Sequence, residues 1–180
     1  MSSFKYVLVF TLGLIIISCA DEKKQAPAEP EVKTVEKEFY HEAGELNAGF
    51  KTEQVETAFK AYIEVKNAMV NTDAAKTAEA AKNLKVAMTE AGVETGALEE
   101  VERMASSSNI AEQREAFVDV TAAMEGLLTD ELEGGTIYKQ YCPMAFDNSG
   151  ASWLSESKDI ANPYFGNKMY RCGRIEAVIE

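Results

Sequence analysis

Residues 52–70 read TEQVETAFKAYIEVKNAMV. Their apolar members Val55, Phe59, Tyr62, Ile63, Met69 and Val70 recur at three- and four-residue spacing, which lays them along one face of a helix. Asn71-Thr72-Asp73 interrupts the pattern and offers a cap for a second helix, whose stripe of Ala74, Ala78, Ala81, Leu84 and Met88 is narrow enough for close approach to a neighbour. That helix is expected to end near Gly92. Thr95 is placed to cap a third helix carrying Leu98, Val101, Met104 and Ala105, broken by Ser106-Ser107-Ser108. Asn109 with Glu112 has the form of a capping box opening a fourth, with Ile110, Phe117, Val120, Met124, Leu127 and Leu128 as its stripe and Gly134-Gly135 as its stop. Four helices on short turns predict an up-down four-helix bundle over residues 46–135. Met69, Met88, Met104 and Met124 sit at core spacing and read as packing. Arg114 falls on the inner side of the last stripe, where a charge needs a partner, and reads as a snorkelling or salt-bridged side chain.

The composition changes at Thr136. Residues 136–180 hold seven of the sixteen aromatics and equal numbers of acidic and basic side chains, so they are expected to pack on the bundle as one domain with it. Asp147-Asn148-Ser149-Gly150 signals a hairpin turn, Asn162-Pro163 another turn, and Ile175 to Ile179 a last short strand. The expected fold is mainly α, a helical bundle with a small C-terminal β-hairpin and aromatic cap.

Toward the N-terminus, Lys5 followed by an apolar run from Tyr6 to Ile17 has the form of a signal peptide, too short to span a bilayer, over residues 1–18. It closes on Ile16-Ile17-Ser18-Cys19, which resembles a bacterial lipobox. Cleavage before Cys19 and its acylation would tether the protein to a membrane with no spanning helix. Residues 19–45 are charged and proline-bearing and read as a solvated tether that includes His41. Asp21 and Glu22, just after the lipidated cysteine, resemble a surface-export signal. The expected location is the cell envelope, the outer membrane facing the periplasm first and the cell surface second.

Eighteen basic against thirty acidic residues give a net charge of −12, which argues against nucleic acid as a partner. One histidine and the lack of any nucleophile elbow, zinc-protease helix, phosphate loop or dinucleotide fingerprint argue against an enzyme. Glu99-Glu100-Glu102 reads as a solvated face, and Ser155 and Ser157 as turn hydroxyls without a base.

The remaining chemistry is sulfur. Cys142-Pro143-Met144 and Met169-Tyr170-Arg171-Cys172 each bring a thiol near a thioether. Thiolate and thioether ligands select soft ions, Cu(I) above all, so Cys142, Met144, Met169 and Cys172 form one candidate metal set. Zinc fits less well, since no Cys-x-x-Cys is present and His41 falls in the tether. The competing reading is a disulfide: once Cys19 is lipidated, two cysteines remain in an oxidising compartment, and a Cys142–Cys172 bridge staples a non-catalytic interaction module.

Tyr141-Cys142-Pro143-Met144-Ala145, Trp153-Leu154-Ser155, Asn162-Pro163-Tyr164-Phe165-Gly166, Met169 and Cys172-Gly173, with Ile110, Gln113, Arg114 and Phe117 upstream, resemble the signature of the bacterial domain of unknown function 3347 family. The resemblance runs from about Phe50 to Ile179. It implies an exported lipoprotein, or a domain related to C-terminal extensions of heavy-metal efflux adaptors, and so a partner among efflux or other envelope proteins. It marks Arg114, Trp153, Asn162, Pro163, Tyr164 and Gly166 as motif residues. Cys-Pro-Met also resembles the Cys-Pro-Met-His motif of copper and silver exporters, but Ala145 stands in the histidine position. Glu112 and Ala116 stand where family members often carry histidines, which leaves sulfur as the ligand type here.

Overall fold

Thr52 opens the first helix as the periodicity predicts: its Oγ1 accepts the Val55 N–H at 3.3 Å, and α1 runs Glu53–Val70. In this computed structural model the described residues are 39–180. The signal peptide, Cys19 and residues 20–38 of the tether lie outside them. Asp73 caps α2 (Ala74–Glu90), accepting the Lys76 N–H at 2.9 Å. Helix α3 spans Thr95–Ser106, and here Thr95 is already inside the helix; the cap position is Glu94, which makes no side-chain bond to the helix. Helix α4 spans Ile110–Leu128, and Asn109 caps it by accepting the Ala111 N–H at 2.9 Å. The expected capping box does not close. Glu112 accepts the Ser107 hydroxyl at 2.6 Å, and Ser107 Oγ takes the Asn109 N–H in its place.

Consecutive helices pack on one another, and α1 also meets α4. Phe59, Tyr62, Met69, Leu84, Met88, Val101, Met104, Phe117, Val120 and Met124 are fully buried between them, the four methionines as core packing. No described helix is long and apolar enough to cross a membrane.

Two small antiparallel sheets complete the fold. Strands β1 (Ala48–Phe50) and β2 (Leu132–Gly135) pair with Ala48 opposite Gly135 across the two ends of the helical unit. Sequence periodicity gives no hint of this ladder, because Gly134-Gly135 reads only as a helix stop. Gly135 is required there: its φ is +82°, and a Cβ would lie 2.1 Å from the Asn47 carbonyl oxygen.

The second sheet has the order β4-β3-β5, from β3 (Ile137–Cys142), β4 (Ala151–Ser155) and β5 (Arg174–Ile179). Both the hairpin and the last strand expected from the sequence are therefore present. The hairpin connection contains a one-turn segment, α5 (Ala145–Asn148), in which Phe146, Asp147 and Asn148 all have positive φ. A short 3-10 turn, Gly166–Met169, precedes β5.

An aromatic column joins cap to helices. Tyr62 stacks on Phe117 at 5.0 Å, Phe117 meets Tyr164 at 6.1 Å, and Tyr164 meets Trp153 edge-on at 6.1 Å. The Leu154 N–H donates to the Tyr62 hydroxyl at 3.0 Å, so a strand backbone is pinned to α1 inside the core.

Candidate functional site

Cys142 ends β3, and Cys172 lies two residues before β5. Because Tyr141 pairs with Arg174, the antiparallel ladder carries the two cysteines toward each other, and their Sγ atoms stand 3.1 Å apart. Cys142 is fully buried and Cys172 partly exposed; both are free thiols. Cys172 is held above a free thiol's usual range, first by the hydrogen bond it shares with Cys142 and then by burial.

The loop bearing Cys172 is held by a frame of side-chain to backbone bonds. Asn162 Nδ2 donates to the Cys172 carbonyl at 2.7 Å, and its Oδ1 accepts the N–H groups of Tyr164 and Phe165 at 2.8 and 3.1 Å. Arg114 Nε donates to the Pro163 carbonyl at 2.8 Å, while Nη2 reaches the Met69 carbonyl at the end of α1 at 3.2 Å and Thr72 Oγ1 at 3.3 Å. Arg114 is thus satisfied by neutral oxygens and not by the carboxylate a salt bridge requires. Burial alone lowers its pKa from the ordinary arginine value. Gly166 has φ +60°, and a Cβ there would lie 2.2 Å from Thr72 Oγ1, so only glycine lets this turn close on α1. Arg114, Trp153, Asn162, Pro163, Tyr164 and Gly166 all stand around this loop and the strand beneath it.

The methionines take no part in the hydrogen bond that joins the thiols. The Met144 side chain is 47% exposed, in a groove with Arg114, Phe146, Tyr164 and Phe165. Met169 meets Cys172 through its backbone carbonyl, which accepts the Cys172 N–H at 2.9 Å. Neither thioether makes a hydrogen bond to a thiol. Of the four sulfurs read from the sequence, the two thiols are the pair joined by a hydrogen bond. Among the described residues no three His, Cys, Asp or Glu side chains are grouped to hold a metal.

Two sulfurs sharing one ion through bonds of about 2.3 Å lie roughly 3.8 Å apart in tetrahedral and about 4.6 Å apart in linear coordination. At 3.1 Å the pair has the right donors for a soft ion, but the sulfurs must part by about 1 Å to hold it.

A second polar centre was missed by the sequence reading. Lys66 Nζ and Glu156 Oε2 are 2.5 Å apart, with both side chains 1% exposed. Burial lowers the Lys66 pKa, with Glu156 opposing. Burial pushes Glu156 the other way, yet Lys66 and the backbone N–H groups, Gly44 among them, hold its carboxyl below the usual range. Above this pair lies His41, which does not belong to a solvated tether. Its N–H donates to Asn71 Oδ1 at 2.7 Å, its carbonyl accepts from Asn71 Nδ2 at 2.9 Å, and its ring bridges Asn67 Oδ1 at 3.1 Å and the Tyr170 hydroxyl at 2.9 Å. Two opposed ring partners read naturally as Nε2–H donating to Asn67 and the Tyr170 hydroxyl donating to Nδ1. Residues before 46 are thus anchored to the helices and the cap, His41 on α1 and Gly44 on Glu156.

Residues 58–133 match the model of a family described as a protein of unknown function, DUF3347. The match covers the helices from within α1 to within β2 and supports the family resemblance there; the Cys142 and Cys172 loops lie beyond it. No curated protein and no solved structure matches the chain.

Proposed function

We propose that this chain is a non-catalytic, lipid-anchored domain of the cell envelope, an up-down helical bundle with a cap, whose working group is the Cys142–Cys172 dithiol. Reduced, the two thiolates take one Cu(I) or similar soft ion as cargo, for sequestration or delivery to an efflux system. Oxidised, they close to a disulfide by exchange with a disulfide-bearing oxidant: one S–S bond forms here, one breaks there, and the oxidant keeps the two electrons and two protons. The observation that carries this reading is the meeting of two thiols, thirty residues apart in sequence, at 3.1 Å inside a rigid frame. The lipid anchor at Cys19 and the efflux context rest on the sequence resemblance.

The same 3.1 Å favours a second reading, an interaction module in which the bridge is purely structural, because the sulfurs stand closer than a chelated ion allows. A thiol count with a Cu(I) titration on the mature chain in detergent separates the two. One tight Cu(I) equivalent in the reduced protein and none in the oxidised protein is expected. Two free thiols that take up no copper would overturn the cargo reading and leave the bridge.

A further inference from the structure

The segment Phe39–Gly44 lies across α1 and touches the cap at two places, the Tyr170 ring and the Glu156–Ser157 turn. Phe39 meets the Tyr170 ring edge-on at 5.0 Å, and His41 Nδ1 bonds the Tyr170 hydroxyl at 2.9 Å. The far side of the His41 ring is fixed to Asn67 on α1, and its backbone is paired twice with Asn71. Gly44 continues the strap by donating to Glu156 Oε1 at 2.8 Å, and a Cβ on it would sit 3.3 Å from Glu156 Cγ and Ser157 Cβ. Beneath the strap is a cavity of about 230 Å3 lined by His41, Lys66, Ser155, Glu156, Tyr170 and Arg171.

Tyr170 is two residues before Cys172, in the loop whose opening separates the thiols. Its carbonyl accepts the Asn162 N–H at 3.0 Å, and the Cys172 carbonyl accepts from the same asparagine's side chain. One edge of the loop is therefore held by Asn162. The other, through the tyrosine ring, is held by the strap.

We infer that His41 is a positioning residue for Cys172, acting through Tyr170, so that the chain entering from the tether holds the thiol pair closed. This rests on the dithiol reading above. The strap fixes Tyr170 to α1, Tyr170 fixes the loop, and the loop sets how far Cys172 moves from the buried Cys142. A force or partner that lifts residues 39–44 frees the exposed thiol first.

The test uses the full chain with His41→Ala and Tyr170→Phe; the second keeps the ring against Phe39 and removes only the hydroxyl. Site-resolved alkylation of reduced Cys172 by iodoacetamide is expected to run three- to tenfold faster in both variants. The equilibrium constant for closing the disulfide against glutathione should fall by the same factor, a shift of about 15–30 mV. A merely structural loss would lower the melting temperature and leave both readouts unchanged below it. Rates and equilibria within twofold of the unaltered chain in both variants would overturn the inference. If the unaltered thiols neither pair nor take copper, the dithiol reading fails by itself, and the alkylation ratio still decides whether His41 holds the loop.

Discussion

Lys66 on α1 and Glu156 just beyond β4 form an ion pair at 2.5 Å, and each side chain is 1% exposed. The pair ties the first helix to the end of a cap strand ninety residues later. Removing one partner leaves a buried charge alone, at a cost of about 3–5 kcal/mol. Lys66→Met and Glu156→Gln should each lose that much in urea unfolding. The double variant is expected to lose at least about 2 kcal/mol less than the sum of the two. Additive losses would mean that the two groups are not energetically coupled.

The same pair sets an acid limit. Glu156 is held below the ordinary carboxylate range, so its contribution is complete above the unfolded value near about pH 4.3 and is lost as pH falls through the lower folded value. Comparing unfolding free energies of the unaltered chain and Glu156→Gln from neutral pH downward should show the gap shrinking only below about pH 4.3. A gap that closes well above that value would contradict the assignment.

His41 gives a second, higher window. Burial first, then Lys66 and Arg171, lower its pKa from 6.5, against the opposing effects of Glu156 and Asn67. The strap is thus fully stabilised above pH 6.5 and loosens as pH falls through the lower folded value. Amide exchange at residues 41–44 is expected to lose protection over that interval, after correction for intrinsic exchange, and protection flat down to about pH 4 would count against it.

Gly166→Ala tests the frame under Cys172. A methyl group 2.2 Å from Thr72 Oγ1 and 2.9 Å from the Val70 carbonyl, on a residue with φ +60°, has to displace backbone. The cost should exceed about 1 kcal/mol in equilibrium unfolding. At the open position Gly126 an added methyl group meets nothing within 4 Å, so alanine there should be accepted and gain a few tenths of a kcal/mol. Equal effects at the two sites would refute the packing argument.

Met144→Leu should leave Cu(I) affinity within about threefold, since the side chain stands in the Arg114–Phe165 groove and not on the thiols. Cys172→Ser should abolish uptake. Closing the thirty-residue loop should also stabilise the oxidised protein by about 3–4 kcal/mol over the reduced one. A Met144→Leu loss of tenfold or more would restore the thioether to the site.

The helices were legible because Val55, Phe59, Tyr62 and their successors repeat at the helical period and all lie buried. Lys66 falls on that same stripe, between Ile63 and Met69, and a lysine there is itself a signal of a buried partner. Glu156 carried no such mark, since what covers it is remote in sequence, Lys66 on α1 and Gly44 on the strap. The approach of Cys142 to Cys172 was legible from their number, but the placing of Met144 in the groove beside Arg114 and Phe165 was not. Left-handed residues at 146–148 turn the chain two residues after Met144, and no hydropathy pattern encodes that turn. His41 was misplaced because the chain around it is charged and proline-bearing, whereas its anchoring depends on Asn67, Asn71 and Tyr170, contacts that local composition does not register.

The ladder between Ala48–Phe50 and Leu132–Gly135 means that the backbone leaves for the helices and returns within one strand spacing, about 4.8 Å. A unit whose entry and exit adjoin makes little geometric demand on whatever chain carries it. Because the cap shares the interior of that unit, through Leu154 on Tyr62 and Glu156 on Lys66, any chain that carries the unit has to keep residues 136–180 with it. The adjoining ends themselves are a property of two short strands and a glycine, not of the helices they enclose.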